Sequence, residues 1–164
     1  MFATIALLLA AVTAARADTI CRDCTYPYPQ RGGYLGAYWP GDRGTFNHVN
    51  TVRHYVPHGP YGNGTFVQFD NYWVFDLHDN AAANLTATHR LLTDWGAELY
   101  TDAGSVCAGE YCTVVALGTV VASHVDVAKR WEIKVDALVP GRYVIRIAGA
   151  TTEGGSYTGQ VSFR

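Results

Sequence analysis

The chain has 164 residues, 49% hydrophobic and 16% charged, with 12 Lys and Arg against 14 Asp and Glu. A formal charge of −2 without a basic stripe argues against nucleic acid and anionic membranes as partners. The length suits one domain with a single sizeable core.

Residues 1–17 read as a secretory signal. Ile5 to Val12 is apolar but too short to span a bilayer, and Ala15-Arg16-Ala17 is a small-x-small cleavage site before Asp18. No Lys or Arg precedes the apolar run, so only the α-amino group supplies positive charge there. The expected mature chain, 18–164, is secreted or periplasmic, and without Arg16 its charge falls to about −3.

Four cysteines in an exported chain point to disulfides, and Cys21, Cys24, Cys107 and Cys112 allow three pairings. Cys107-Ala-Gly-Glu-Tyr-Cys112 suits a loop pinched at its base. Cross-pairing would instead staple the N-terminal segment to that loop. A redox pair at Cys21-x-x-Cys24 lacks the flanking strand and helix, and haem attachment lacks a His at position 25. A four-Cys zinc site would need closer spacing than 107 and 112 provide.

Residues 18–63 form a segment rich in Gly, Pro and aromatics, read as loop with short edge strands, one of them from Phe46 to Val56. Tyr34, Tyr38 and Trp39 are the candidates for stacking on flat sugar faces, with Tyr61 and Trp95 in reserve. More often such rings fold back and cover one end of a sheet. His48, His54 and His58 could form a three-His loop site, although Pro57 and Pro60 rule out a helix across it.

The β domain is expected over 64–164. Its leading strand runs from Gly64 to Leu77. Phe69, Asn71, Trp73, Phe75 and Leu77 share its inner face, while Asp70, Tyr72, Val74, Asp76 and His78 turn to water or to a loop. Asp76 and Asp79, with a nitrogen from His78, are candidate donors for a structural calcium at a strand end, and Asp70 is an alternative place for such a cation. Strands follow over Ala81 to Leu92, Trp95 to Tyr100 and Thr113 to Val121. Trp131, Ile133, Val135 and Ala137 alternate with Glu132, Lys134 and Asp136, and Tyr143, Ile145 and Ile147 alternate with Arg142, Val144 and Arg146. Tyr157, Gly159, Val161 and Phe163 form the last strand. Short strands separated by turns predict an all-β chain, an antiparallel sandwich of jelly-roll or Greek-key type. Leu138-x-Pro140-Gly141-x-Tyr143 suits a tyrosine corner, a packing device.

Phe69-x-Asn71-x-Trp73-x-Phe75-x-Leu77, Leu138-Val-Pro-Gly-Arg-Tyr143 and Gly154-Gly155-Ser156-Tyr157-Thr158-Gly159 resemble the FxDxF-type domain of exported bacterial proteins, many with a PEP-CTERM sorting tail. The resemblance covers roughly 64–164. Asn71 stands where that motif has an acid, and no sorting tail follows Phe163. The Pro-Gly-x-Tyr hairpin is also similar to pre-peptidase C-terminal domains. The first resemblance implies an exported sandwich associated with extracellular polymer and hands over no catalytic site; the second implies a jelly-roll-like sandwich without catalysis.

No Gly-x-Ser-x-Gly, phosphate loop or His-Glu-x-x-His is present. Glu98, Glu110, Glu132 and Glu153 cannot be paired from sequence as glycosidase acids. Three readings follow. The first is a non-catalytic module associated with extracellular polysaccharide or envelope matrix. The second is a module docking on an envelope protein. The third is a small metal-dependent hydrolase using His48, His54 and His58. No cofactor is implied, a structural calcium aside.

Overall fold

The computed structural model describes residues 30–49, 54–56, 66–90, 93–125, 130–151 and 156–164. The signal segment, Cys21, Cys24, His58 and Tyr61 lie outside these. Among the described residues every regular element is a strand, and the strands build two sheets packed face to face. No helix there is long and apolar enough to cross a membrane.

The larger sheet contains β1 (Gln30–Tyr38), β3 (His54–Val56), β4 (Phe66–Leu77), β6 (Thr93–Asp102), β7 (Val106–Ala108), β8 (Tyr111–Val114), β9 (Leu117–Val125) and β11 (Gly141–Thr151). Its order is β7-β8-β1-β4-β11-β6-β9, with β3 also on β4. The smaller sheet is β10-β5-β12-β2, from β10 (Arg130–Leu138), β5 (Ala81–Arg90), β12 (Ser156–Phe163) and β2 (Arg43–Val49). Pairing is antiparallel throughout except between β1 and β4, which run parallel.

The core lies between the sheets. Leu85, Trp131, Ile133, Val161 and Phe163 from the small sheet meet Phe75, Leu77, Leu99, Tyr143, Ile145 and Ile147 from the large one. Period-2 alternation puts these residues inward. Tyr143 closes its corner as expected, its hydroxyl donating to the Val139 carbonyl at 2.7 Å. Tyr143→Phe removes that bond and is expected to cost about 1 kcal/mol, read as a shift of the denaturation midpoint.

Four features depart from the expectations. First, residues 30–49, read as loop with short edge strands, supply a strand to each sheet. β1 enters the large sheet between β8 and β4, and β2 forms an edge of the small sheet, so the boundary at 63/64 falls inside the sandwich. The glycines that hid β1 are what let it fit: a Cβ at Gly33 would collide with the Trp73 ring. Second, the strand expected from Phe46 to Val56 is two, β2 and β3, in different sheets. Third, the back of β4 is not open to water. The chain leaves β6, crosses behind β11 and β4 to pair as the β7–β8 hairpin with β1, and returns as β9 beside β6. Tyr72 and Val74 are buried in a second cluster with Cys112, Val114 and Val144. Fourth, a register shift between Val135 and Leu138 turns Leu138 inward and leaves Ala137 exposed.

Candidate functional site

Among the described residues, two surfaces bring together the side chains of the candidate sites. The first is the end of the sandwich where β1, β4 and β11 terminate. The turn Trp39–Asp42 links the sheets, held by the Asp42 amide donating to the Trp39 carbonyl at 3.0 Å and the Trp39 amide donating to the Asp42 carboxylate at 2.8 Å. Trp39 is half exposed and stacks on His78 with ring centroids 4.4 Å apart. Tyr38 is buried instead: its ring packs 5.1 Å from Phe163 and 6.2 Å from Phe75, and its hydroxyl donates to the Leu35 carbonyl. Of the three expected stacking residues, Trp39 alone therefore carries a largely exposed ring: a register shift in β1 between Tyr34 and Gly36 reverses the alternation, leaving Tyr34 on the outer face and turning Tyr38 into the core.

Tyr34 donates its hydroxyl to Asp76 Oδ2 at 2.7 Å. Arg142 grips the same carboxylate through Nε at 2.7 Å and Nη2 at 2.9 Å, and donates through Nη1 to the Ser105 carbonyl at 3.1 Å. These bonds, the Arg142 guanidinium first, hold the Asp76 carboxyl below the usual carboxylate range. The bond to Asp76 in turn pushes the Tyr34 phenol up. Both Asp76 oxygens are thus taken up beside a fixed positive charge, an arrangement that opposes a cation. Asp79 is exposed, and its Oδ1 accepts the Asn80 amide. Asp70 pairs through its backbone with Ala148, six residues up β4 from Asp76, a separation of about 20 Å. The structure does not bring the three acids together, and among the described residues no group of three His, Cys, Asp or Glu is placed to hold a metal. His48 and His54 lie on strands of different sheets. Trp95 lies on β6.

The second surface is a groove of about 220 Å³ on the outer face of the small sheet. Asn84 and Thr86 from β5 and Gln160 and Ser162 from β12 form its floor. Arg43 from β2, Arg130 at the start of β10 and Arg164 stand around it. These are the outward residues of strands whose inward partners, such as Leu85 and Val161, make the core. No bond or ion pair engages the three guanidinium groups among the described residues. On the flank, Glu132 accepts from Asn84 Nδ2 at 3.1 Å and pairs with Lys134 at 3.0 Å. The Lys134 ammonium, then Asn84, hold its carboxyl below the usual range. The lining side chains carry three positive charges and no negative one.

No family model matches the chain, and no curated protein matches it. The FxDxF-type resemblance therefore rests on its quoted motifs alone. Among solved structures, the pre-peptidase C-terminal domain of a Bacillus anthracis collagenase aligns at TM-score 0.46 and 8% identity, over 81% of this chain and 96% of that one. PliG of Aeromonas hydrophila, a periplasmic inhibitor of g-type lysozyme, aligns at TM-score 0.38 and 10% identity, over 80% and 96%.

The bridge between Cys107 and Cys112 is present and ties β7 to β8 at its base. The groove is not legible in the sequence. Its residues come from four strands and the residue after β12, from positions as far apart as 43 and 164, and each alone reads as an ordinary solvated residue. The available signal was the outward set of each strand: Asn84 and Thr86, then Gln160 and Ser162, polar at every second position.

Proposed function

We propose that this is an exported, non-catalytic binding module that associates with extracellular or envelope polysaccharide through the outer face of its small sheet. The observation that carries this reading is the groove: a floor of hydroxyls and amides beneath three guanidinium groups without protein partners among the described residues. Such side chains both donate to and accept from ring hydroxyls. The lining holds no carboxylate, imidazole or thiol, which suits binding rather than cleavage. The secretory signal expected in residues 1–17 and the Cys107–Cys112 bridge fit an oxidising compartment.

The test is a glycan array with the exported protein, with and without calcium. Binding to one polysaccharide class is expected in both conditions, since the groove contains no acid to hold the metal. Trp39→Ala, at the sandwich end, is expected to change that affinity by less than about twofold, with a stability change within about 0.5 kcal/mol. A blank array from folded protein, or loss of binding with Trp39→Ala, counts against the assignment.

A second reading, docking on an envelope protein, is favoured by Val106 and Tyr111, exposed on the hairpin pinned by the disulfide. Capture of one envelope protein that Tyr111→Ser abolishes, together with a blank array, would favour it.

A further inference from the structure

We infer that the chain taken by this groove is acidic: a polysaccharide bearing carboxylate or sulfate groups along its length. This rests on the carbohydrate reading above and adds the charge class of the ligand. Arg130 is level with Thr88 on β5 and, through it, with Thr158 on β12, whereas Arg43 is level with Ser162. The two arginines therefore stand three strand spacings and four residues apart, about 14 Å by 13 Å along the sheet. One small anion cannot be shared across that diagonal, but a linear polymer can cross it. Between the corners lie Asn84, Thr86, Gln160 and Ser162, which match hydroxyls rather than apolar or aromatic groups.

Charge selects the class. The whole chain carries −2, so three like charges around one groove do not follow from general basicity. On the other sheet, Arg142 and Arg146 each hold a carboxylate, Asp76 and Glu98, at 2.7 and 2.9 Å. Arg43, Arg130 and Arg164 have no such partner among the described residues. A guanidinium keeps its charge at any physiological pH and presents a planar fork that fits carboxylate or sulfate bidentately. Glu132, on the same face of β10, interacts with Arg130 as well as with Lys134 at 3.0 Å, but the one carboxylate lies between two cations, so this edge of the groove keeps a net positive charge.

The experiment compares binding of the exported protein to polygalacturonate, alginate and a sulfated glycan with binding to carboxyl-reduced polygalacturonate and to single-stranded DNA. At least one acidic glycan is expected to bind tenfold or more tightly than the reduced chain and DNA, with affinity falling as salt rises. Arg43→Ala with Arg130→Ala is expected to lower that affinity at least tenfold. Gln160→Glu, which adds one negative charge to the floor, is expected to do the same. Both variants should keep the wild-type melting temperature within about two degrees, since the sites are exposed. Equal, salt-insensitive binding of the acidic and reduced chains would overturn the acidic class and leave the carbohydrate reading standing. Binding to none of the glycans would overturn both. DNA binding as tight as the acidic glycan would overturn the assignment to a polysaccharide.

Discussion

Replacing Phe75 with alanine is expected to destabilise the protein by about 3–5 kcal/mol. Phe75 is fully buried on the inner face of β4. Its ring stacks on Tyr143 at 5.4 Å with planes 20° apart, meets Phe163 at 5.4 Å and meets Tyr38 edge-on at 6.2 Å. Tyr38 and Tyr143 come from the strands flanking β4, and Phe163 from the facing sheet, so the ring joins both layers. Its loss removes transfer energy and leaves a cavity that three aromatic neighbours cannot easily close. For a domain of this size, the melting temperature should fall by roughly 6–20 °C. Val120→Ala, at a half-exposed position on β9, should shift stability by less than about 0.5 kcal/mol. A Phe75→Ala cost below 1 kcal/mol would mean that the aromatic cluster is not the core that holds the sheets together.

The second largest effect is expected at Asp76. Its carboxylate accepts two bonds from Arg142 and one from Tyr34 on the outer face of the large sheet. Asp76→Ala leaves the guanidinium with the Ser105 carbonyl alone, and the Tyr34 hydroxyl without its acceptor. The site is partly solvated, with side-chain exposures of 34% for Arg142 and 23% for Asp76, so the cost lies below that of a fully buried pair, at about 2 kcal/mol. The pH dependence has a definite sign. Arg142, and then Tyr34, lower the folded-state pKa of Asp76, so its contribution is present above the unfolded value near 3.8 and is lost as pH falls through the folded value. Melting curves between pH 7 and pH 2 should therefore show wild type losing its advantage over Asp76→Asn in acid. An advantage that stays constant across that range would show that ionised Asp76 is not what holds Arg142.

Much of the architecture is legible in the chain because alternation is a local signal. Trp131 and Ile133, Tyr143 and Ile145, and Tyr157 and Val161 all face the core as their spacing predicts. The corner from Val139 to Tyr143 also forms as read. Alternation fails where a second layer or an irregularity intervenes. Tyr72 and Val74 look solvent-facing until a distant hairpin is laid over them, and Leu138 looks outward until the bulge after Val135 reverses the register. β1 carries no legible signal because its glycines break the hydrophobic pattern, and their role lies in the close approach of the Trp73 ring to Gly33. Sites fare worse than strands. The aromatic segment offered Tyr34, Tyr38 and Trp39 by residue type, but burial of Tyr38 and engagement of Tyr34 by Asp76 are tertiary facts. The groove is a product of register, since Arg43, Ser162 and Asn84 align only after β2, β12 and β5 have paired.

The most direct test of the account is residue-resolved amide shift mapping by NMR during titration with an acidic polysaccharide. Perturbations are expected to concentrate on Arg43, Asn84, Thr86, Arg130, Gln160 and Ser162, with Trp39 and His78 unmoved. Perturbations centred on Trp39 and His78, or on the β7–β8 hairpin around Tyr111, would contradict it.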